Sequence, residues 1–120
     1  MKLTNSVMFE SIQALTTVKE TGKLGYACAR NLRRLLDACR EYMEERDRLL
    51  KEYGTDQGGG QYTFEPANAR EFSCKLQEFA VIEHEVDVMQ VDEEVFCSGN
   101  LTTKEMFTLA WMVKEEADVC

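Results

Sequence analysis

The feature that most constrains the fold is a long helical repeat of apolar residues in the first half of the chain. Between residues 26 and 53, apolar side chains recur at alternating steps of three and four residues, which is the spacing of one helix face. The repeat contains Ala29, Leu32, Leu36, Cys39, Met43, Leu50 and Tyr53, and Arg46 interrupts it. It predicts one continuous helix of about 28 residues and about 42 Å. Such a helix needs more than one neighbour to cover its apolar face.

A shorter helix is predicted before the long one, from Asn5 to about Thr21. Its apolar face consists of Met8, Ile12 and Leu15. Asn5 is expected to cap this helix, because asparagine is among the residue types that favour helix N-termini. The segment Gly22–Gly25 contains two glycines and favours a short connection between helices. Residues 5–53 are therefore expected to form a long antiparallel helical hairpin.

A glycine-rich segment follows the hairpin at residues 54–60. Gly54 stands where the end of a helix favours glycine, and the run Gly58–Gly60 gives the segment the composition of a flexible linker. A chain of 120 residues matches the usual size of one domain. We therefore expect residues 1–120 to form a single domain, in which the linker joins the hairpin to a mixed α/β part at residues 61–120.

The part after the linker combines strand and helix patterns. Gln61–Phe64 predicts a short strand, and Pro66 suits the first turn of a third helix that ends near Val81. From residue 82 to residue 91, apolar and acidic residues alternate, which predicts a half-exposed strand. The partner of this strand is expected to be either Gln61–Phe64 or Val95–Cys97.

The clearest helix start in the chain is at Thr102, because Thr102 and Glu105 have the spacing of a capping box. In the helix that follows, Phe107 and Trp111 are expected to form a second apolar ridge, which is either core or an interface with an oligomer or partner. Together, the patterns predict an α+β fold that is mainly α. Its order is a long antiparallel helical hairpin, a helix, a small antiparallel β element and a C-terminal helix.

Residue types that carry out catalysis or hold metals are sparse. His84 is the only histidine, so a nucleophile activated by a histidine base is not expected. The five cysteines are at least 11 positions apart, a spacing that does not provide a zinc site, and they are expected to be free thiols. Cys28 and Cys39 fit the helical core. We therefore expect a non-enzymatic binding protein with no metal and no cofactor.

The negative charge is concentrated near the C-terminus. Residues 83–120 contain ten acids and two lysines, which account for the whole net charge of −8. The acids expected to bind a partner are Glu83, Glu85, Asp87, Asp92, Glu93 and Glu94. Such a surface disfavours direct contact with nucleic acid or an anionic membrane, and it favours a host or phage protein with a basic surface. Solubility alone is the alternative interpretation.

A positively charged patch is predicted near the start of the long helix. Arg30, Arg33 and Arg34 stand at i, i+3 and i+4, so their guanidinium groups share one patch. This spacing favours a site for a nucleotide or a phosphate. The alternative is that these arginines pair with Asp37 and with the acidic second half of the chain.

Several segments together resemble a known group of proteins. They are Met1–Asn5, Lys23–Leu35, Glu52–Gly54, Glu83–Val88 and Leu109–Val113. In these segments the chain resembles a family of small phage and prophage proteins of siphovirus type. The resemblance covers nearly the whole chain and implies expression in the cytoplasm of a bacterial host. It carries over no site residues, because none are established for the family.

Three functions are open in that setting. The first is an accessory inhibitor of host antiphage defence, similar to an anti-CRISPR protein, that acts through the acidic residues. The second is a virion or tail-assembly factor, which acts as a homo-oligomer or binds phage proteins. The third is a protein that sequesters a nucleotide signal at the arginine patch. No apolar run is long enough to predict a signal peptide or a membrane span.

Overall fold

The computed structural model describes residues 1–115. Helices form most of it and the strands are short, so the fold is α+β and mainly α, as predicted. In chain order, the elements are β1 (Lys2–Thr4), α1 (Asn5–Leu15), α2 (Gly22–Ala38), α3 (Arg40–Tyr53), β2 (Thr55–Asp56), β3 (Tyr62–Thr63), α4 (Pro66–Ala80), β4 (Glu83–Glu85), α5 (Glu93–Cys97) and α6 (Thr103–Thr108). A 3₁₀ turn at Ala110–Met112 follows α6.

The predicted long helix is present as two consecutive helices, α2 and α3, which meet at Cys39. The prediction of one continuous helix is wrong in this respect. Helical hydrogen bonds nevertheless run through the junction. The N–H of Cys39 donates to the carbonyl of Leu35 at 2.8 Å, and the N–H of Met43 donates to the carbonyl of Cys39 at 3.0 Å. Two neighbours cover the pair, since α1 packs on α2 and α4 packs on α3.

The buried face of α2 and α3 is rotated from the predicted one. Leu36 is 41% exposed, whereas Leu35 is fully buried. The observed face contains Leu24, Ala27, Cys28, Asn31, Leu35, Cys39, Tyr42 and Leu49. Asn31 can belong to it because its amide group has partners inside the protein, so a pattern of apolar residues alone missed this position. Arg46, the interruption in the predicted repeat, lies over the ring of Phe9 at 4.8 Å from the centroid.

The first helix begins at Asn5 as predicted but ends at Leu15 rather than near Thr21. Its cap is Thr4, whose hydroxyl oxygen accepts the N–H of Val7 at 3.2 Å. The prediction that Asn5 caps the helix is wrong. Asn5 is buried instead, and its side-chain amide donates to the carbonyl at the end of α4, on Phe79, at 2.9 Å.

The connection between α1 and α2 is also shifted. It consists of residues 16–21, and Gly22 is already the first residue of α2. Gly22 has a φ of 66°, a conformation that favours glycine. Gly25 lies inside α2, where the backbone of Glu20 leaves no room for a Cβ atom. These two glycines are therefore required by the start of α2 and do not form the connection that was predicted for Gly22–Gly25.

Two pairs of short antiparallel strands complete the fold. β1 pairs with β4, which joins Lys2 to Glu85, Leu3 to His84 and Thr4 to Glu83. β2 pairs with β3 in a hairpin. Both predicted partners of the 82–91 strand are wrong, because Tyr62–Thr63 pairs with β2 and Val95–Cys97 belongs to α5. The strand itself is limited to Glu83–Glu85.

The glycine-rich residues predicted as a linker lie largely within this hairpin. The tip is formed by Gly58, Gly59 and Gly60, which all have positive φ. The N–H of Gln57 donates to the carbonyl of Gln61 at 2.8 Å, and the carboxylate of Asp56 accepts the N–H of Gly58 at 2.8 Å. The segment is therefore the turn between two paired strands.

The described chain has two regions, which we name the body and the arm. The body consists of β1, α1, α2, β4, α5 and α6, and it contains the central core. The arm consists of α3, the β2–β3 hairpin and α4. Tyr42 and Ala80 tie the near end of the arm to the core, whereas the far end packs on itself. There, Leu49 is buried outside the central core, and the rings of Phe64 and Phe72 lie 5.1 Å apart.

The predicted start of the last helix is confirmed. Thr102 caps α6, its hydroxyl oxygen accepts the N–H of Glu105 at 3.1 Å, and the Glu105 carboxylate accepts the N–H of Thr102 at 2.9 Å. The helix ends at Thr108. Cys120 lies outside the described residues.

Candidate binding surfaces

The six acidic residues selected from the sequence lie on one continuous stretch of the body, residues 83–94, which we name the acidic edge. All six are exposed: Glu83, Glu85, Asp87, Asp92, Glu93 and Glu94. Between them, Val86 and Val91 are buried, and His84 is partly buried. The alternation seen in the sequence predicts the burial pattern from Glu83 to Val88, but it is wrong at Ile82, which belongs to the apolar side of the pattern and is 45% exposed. Only the first three residues of this stretch are a paired strand. Buried valines fix the chain while the carboxylates face the solvent.

Backbone hydrogen bonds hold the acidic edge at its beginning and its end. At the beginning, β4 pairs with β1, and the N–H of Val86 donates to the carbonyl of Met1 at 2.9 Å. At the end, the N–H of Val91 donates to the carbonyl of Met112 at 2.8 Å, and the N–H of Lys114 donates back to the carbonyl of Val91 at 2.8 Å. The partners in these bonds, Met1 on one side and Met112 and Lys114 on the other, lie at opposite ends of the described chain.

The middle of the acidic edge is held by one side chain, Asn31. Its amide donates to the carbonyl of Met89 at 2.9 Å, and its side-chain oxygen accepts the N–H of Met89 at 2.7 Å. Asn31 is fully buried, so both bonds are shielded from water. Sequence reasoning missed this residue. Its signal was a polar residue on the apolar face of a helix, which is stable there only when its hydrogen bonds are satisfied.

Three of the six carboxylates have a cationic neighbour. Glu85 lies 2.9 Å from the amino group of Met1, Asp87 lies 3.4 Å from Arg30, and Asp92 lies 3.9 Å from Lys114. The hydrogen bond from the amino terminus and its positive charge lower the pKa of Glu85. The other three, Glu83, Glu93 and Glu94, form no ion pair within residues 1–115. The acidic edge therefore keeps unneutralised charge that faces the solvent.

The three selected arginines lie together, as predicted, on the exposed side of α2, which we name the arginine face. They line one concavity with Tyr26, Ala29, Leu36, Asp37 and Arg40. Arg30 is partly buried and pairs with Asp87, whereas Arg33 and Arg34 are exposed and form no ion pair within the described chain. Asp37 pairs with Arg40 and not with one of the three. Tyr26 also lies on the arginine face and is 62% exposed. Sequence reasoning missed it, although its position four residues before Arg30 places it on the same side of the helix.

The predicted ridge of Phe107 and Trp111 is wrong, because α6 ends before Trp111 is reached. Phe107 is 86% exposed. Trp111 lies in the 3₁₀ turn, packs against the core, and donates its indole N–H to the hydroxyl oxygen of Ser11 at 2.9 Å. Only Phe107 thus presents a freely accessible aromatic ring on this side of the body.

Glu105 is a buried carboxylate that stabilises the body and does not belong to the acidic edge. Besides closing the capping box, it accepts a hydrogen bond from the hydroxyl group of Thr17 at 2.6 Å, which links α6 to the turn after α1. The hydrogen bond from Thr17, with that from the backbone of Thr102, lowers the pKa of Glu105. The side chain therefore stabilises the body in its ionised form.

The cysteines divide into buried and exposed pairs. Cys28 and Cys39 are buried, as predicted, and Cys74 and Cys97 are exposed. Burial raises the pKa of Cys39 to about 11, and burial together with the charges of Glu20 and Glu105 raises that of Cys28 to about 11. Both buried thiols are protonated at neutral pH, which makes them poor nucleophiles and poor metal ligands.

Residues 1–115 form neither a metal-binding cluster nor a membrane-spanning helix. Within residues 1–115, no three histidine, cysteine, aspartate or glutamate side chains converge as a metal site requires. In the same part of the chain, no helix combines the length and the apolar character needed to cross a bilayer. His84 lies in β4 with an acid on either side in sequence.

Comparison of the chain with protein-family models, with curated proteins and with solved structures found no match. The likeness to phage proteins that the sequence indicates therefore stays a prediction.

Proposed function

We propose that this protein is a non-enzymatic binding protein, and that its acidic edge binds a basic surface on another protein. The observation that carries the proposal is the geometry of residues 83–94. Six exposed carboxylates lie on a backbone that is anchored at Met1, Asn31 and Met112, and half of them form no ion pair within residues 1–115. Acids that serve solubility alone need no such anchoring.

A fixed row of carboxylates suits a surface that normally binds nucleic acid. Such surfaces present arginine and lysine side chains to a regular row of phosphates. Because the backbone of the acidic edge is held in place before binding, little backbone entropy is lost when its carboxylates meet those side chains. The complex should form fast at low salt and weaken as salt is added. Bound in this way, the protein would exclude nucleic acid from its partner.

In the setting implied by the phage resemblance, the partner is a nucleic-acid-binding protein of host antiphage defence. The protein would then act in the cytoplasm of a bacterial host as an accessory inhibitor, similar in role to an anti-CRISPR protein. This role requires protein–protein contacts only, with no cofactor, no metal, no membrane contact and no direct contact with nucleic acid.

The test is affinity capture from host lysate, followed by direct binding to the captured protein with and without its nucleic acid. The variant to compare is Glu83→Lys, Glu93→Lys, Glu94→Lys, which reverses three unpaired acids. A matched control is Glu44→Lys, Asp47→Lys, Glu71→Lys, which makes the same charge change at exposed positions of the arm. We expect a basic protein whose affinity falls by about tenfold or more in the first variant, and by much less in the control.

A competition experiment distinguishes a protein that blocks the nucleic-acid site of its partner from one that binds elsewhere on that partner. Nucleic acid should displace the protein from its partner, and the protein should displace nucleic acid. The proposal is wrong if both variants lose binding equally, since the effect would then come from net charge. It is also wrong if the partner binds nucleic acid and this protein at the same time.

A virion or tail-assembly role is the second candidate, and the exposed ring of Phe107 favours it. An aromatic side chain that is 86% exposed is a common anchor of protein–protein contacts. Light scattering of the purified protein tests this role. A homo-oligomer that Phe107→Ser converts to monomer supports assembly, whereas a wild-type monomer that binds no phage structural protein removes it.

A further inference from the structure

The arginine face has features that the proposed protein contact does not use. Tyr26, Arg30, Arg33 and Arg34 follow one another along the exposed side of α2 and line one concavity. Tyr26 precedes the two exposed arginines by seven and eight residues. At a rise of about 1.5 Å per residue, the Cα atoms of Tyr26 and Arg34 thus lie about 12 Å apart along the helix axis.

The charges on this face are only partly neutralised. Asp37 is the one acid that lines the concavity, and it pairs with Arg40. Arg30 is held at its edge by Asp87. Arg33 and Arg34 have no carboxylate within 4.0 Å in the described chain. Like charges at i and i+3 or i+4 repel each other, and a bound anion would relieve that repulsion.

The position of Arg30 differs from that of an ordinary surface arginine. Its Nε atom is buried and has no hydrogen-bond acceptor within the described residues. Its Nη2 atom is fixed by Asp87 at 3.4 Å. The side chain is therefore already oriented at the border of the concavity, so less rotational entropy is lost when it meets a ligand.

We propose that the arginine face binds a nucleoside di- or triphosphate, with the phosphates on Arg30, Arg33 and Arg34 and the base stacked on Tyr26. Guanidinium groups bind phosphate oxygens with paired, charge-assisted hydrogen bonds. An exposed tyrosine ring supplies a stacking surface for any base. A nucleotide fits this distribution because it is charged at one end and flat and apolar at the other. The site meets the acidic edge at the Arg30–Asp87 ion pair. The acids that test the protein contact, Glu83, Glu93 and Glu94, do not line the concavity, so either site can fail without the other.

The experiment is calorimetric titration of the full chain with ATP, with inorganic pyrophosphate and adenosine as partial ligands. Salt of about 0.15 M screens the acidic edge over distances beyond about 8 Å. We expect ATP to bind more tightly than either partial ligand. Arg33→Gln with Arg34→Gln should raise the dissociation constant of ATP by about tenfold or more. Tyr26→Leu should raise the dissociation constant of ATP by about fivefold or more, without weakening pyrophosphate.

The control variant is Arg70→Gln with Lys75→Gln, which removes two exposed cations from α4 and leaves the arginine face intact. Its affinity for ATP should equal that of the wild-type chain. The proposal is overturned if ATP does not bind, or if the control weakens binding as much as the double arginine variant. It is also overturned if polyglutamate competes as well as ATP, because the face would then recognise negative charge alone. Equal affinity for pyrophosphate and ATP, unchanged by Tyr26→Leu, would remove the base from the site and with it the proposal.

Discussion

The body and the arm are built from different kinds of contact. In the body, neighbours come from distant parts of the chain: Leu3 pairs with His84, and Ser11 accepts a hydrogen bond from Trp111. In the arm, α3, the hairpin and α4 follow one another directly, and α3 contacts both β2 and α4. Both candidate surfaces lie on the body. Side chains that must hold fixed positions therefore lie where contacts between distant segments restrain the backbone.

The ion pairs of the arm are local, like its other contacts. The pairs of Arg48 with Glu45 and with Glu52 are both within α3 of the arm. Arg48 is more than half exposed, and exposed pairs of this kind contribute little to the free energy of unfolding. In the body, the buried side chains of Glu105 and Asn31 instead form hydrogen bonds to distant segments. The hydrogen bonds of buried side chains in the body should therefore contribute more to the free energy of unfolding than the ion pairs of the arm.

The largest expected difference comes from truncating one leucine in each region. Leu35→Ala in the body should lower the free energy of unfolding by about 3–5 kcal/mol, because the core around it cannot collapse into the cavity. Leu49→Ala in the arm, where the original residue is equally well buried, should cost about 2–3 kcal/mol, because fewer elements surround it. Urea unfolding followed by circular dichroism measures both.

Hydrogen exchange provides the matching observation for the two leucines. In Leu49→Ala, amides of the far end of α3 and α4 should exchange much faster, while those of α1 stay protected. In Leu35→Ala, protection should fall throughout the body. An arm that loses as much stability as the body, with uniform loss of protection, would show that the two regions unfold as one unit.

The next effect tests the anchor of the acidic edge. Asn31→Leu should lower the free energy of unfolding by about 1–3 kcal/mol, since the N–H and the carbonyl of Met89 lose their buried partner. The amide of Met89 should exchange faster. In the arm, Gln57→Leu removes an exposed hydrogen bond to Thr63 and should cost about 0.5 kcal/mol or less. Equal costs for the two variants would contradict the distinction between buried and exposed polar bonds.

A fall in pH should also affect the stability of the body more than that of the arm. The pKa of Glu105 is lowered in the folded chain from its ordinary value of 4.5. Its carboxylate therefore stabilises the fold above pH 4.5, and this contribution is lost as the pH falls through the lowered value. Unfolding measured from pH 7 to pH 3 should show a loss that Glu105→Gln reduces. Glu45→Gln, at an exposed ion pair of the arm, should change the profile less, and a reversed order would contradict this assignment.

The smallest effect is expected at the tip of the hairpin. An insertion of five glycine and serine residues between Gly59 and Gly60 should cost about 0.6 kcal/mol, because a longer flexible loop adds little closure entropy. The same insertion between Val88 and Met89 should cost considerably more, since it separates the anchors of the acidic edge. Thermal unfolding of the two variants provides the comparison. A tip insertion as costly as the body insertion would mean that the hairpin is part of the body.

Local patterns in the sequence predicted the local structure well. The capping box at Thr102, the start of α4 at Pro66, and the exposure of alternate residues from Glu83 all depend on neighbours within a few positions. The grouping of Arg30, Arg33 and Arg34 is likewise a property of a single helix. These features require no knowledge of distant parts of the chain.

Features that depend on distant partners were not predictable in the same way. β1 contains only Lys2–Thr4 and carries no strand pattern of its own, so its pairing with β4 has no local signal. Asn31 was missed because its partner, Met89, lies 58 residues away. The sequence pattern predicted that Leu36 is buried, whereas the structure buries Leu35. The pattern failed here because it counted only apolar residues and so left out Asn31, which shares the buried face of α2 with Leu35.

The pairing of β1 with β4 also sets an order of events on the ribosome. The ribosome synthesises the whole arm before it synthesises Glu83–Glu85, and until then β1 has no strand to pair with. The arm has every partner it needs at that moment, whereas the body still lacks α5, α6 and the turn that carries Trp111. The nascent chain thus completes its most local unit first, and the acidic edge is anchored only when Met112 and Lys114 have emerged.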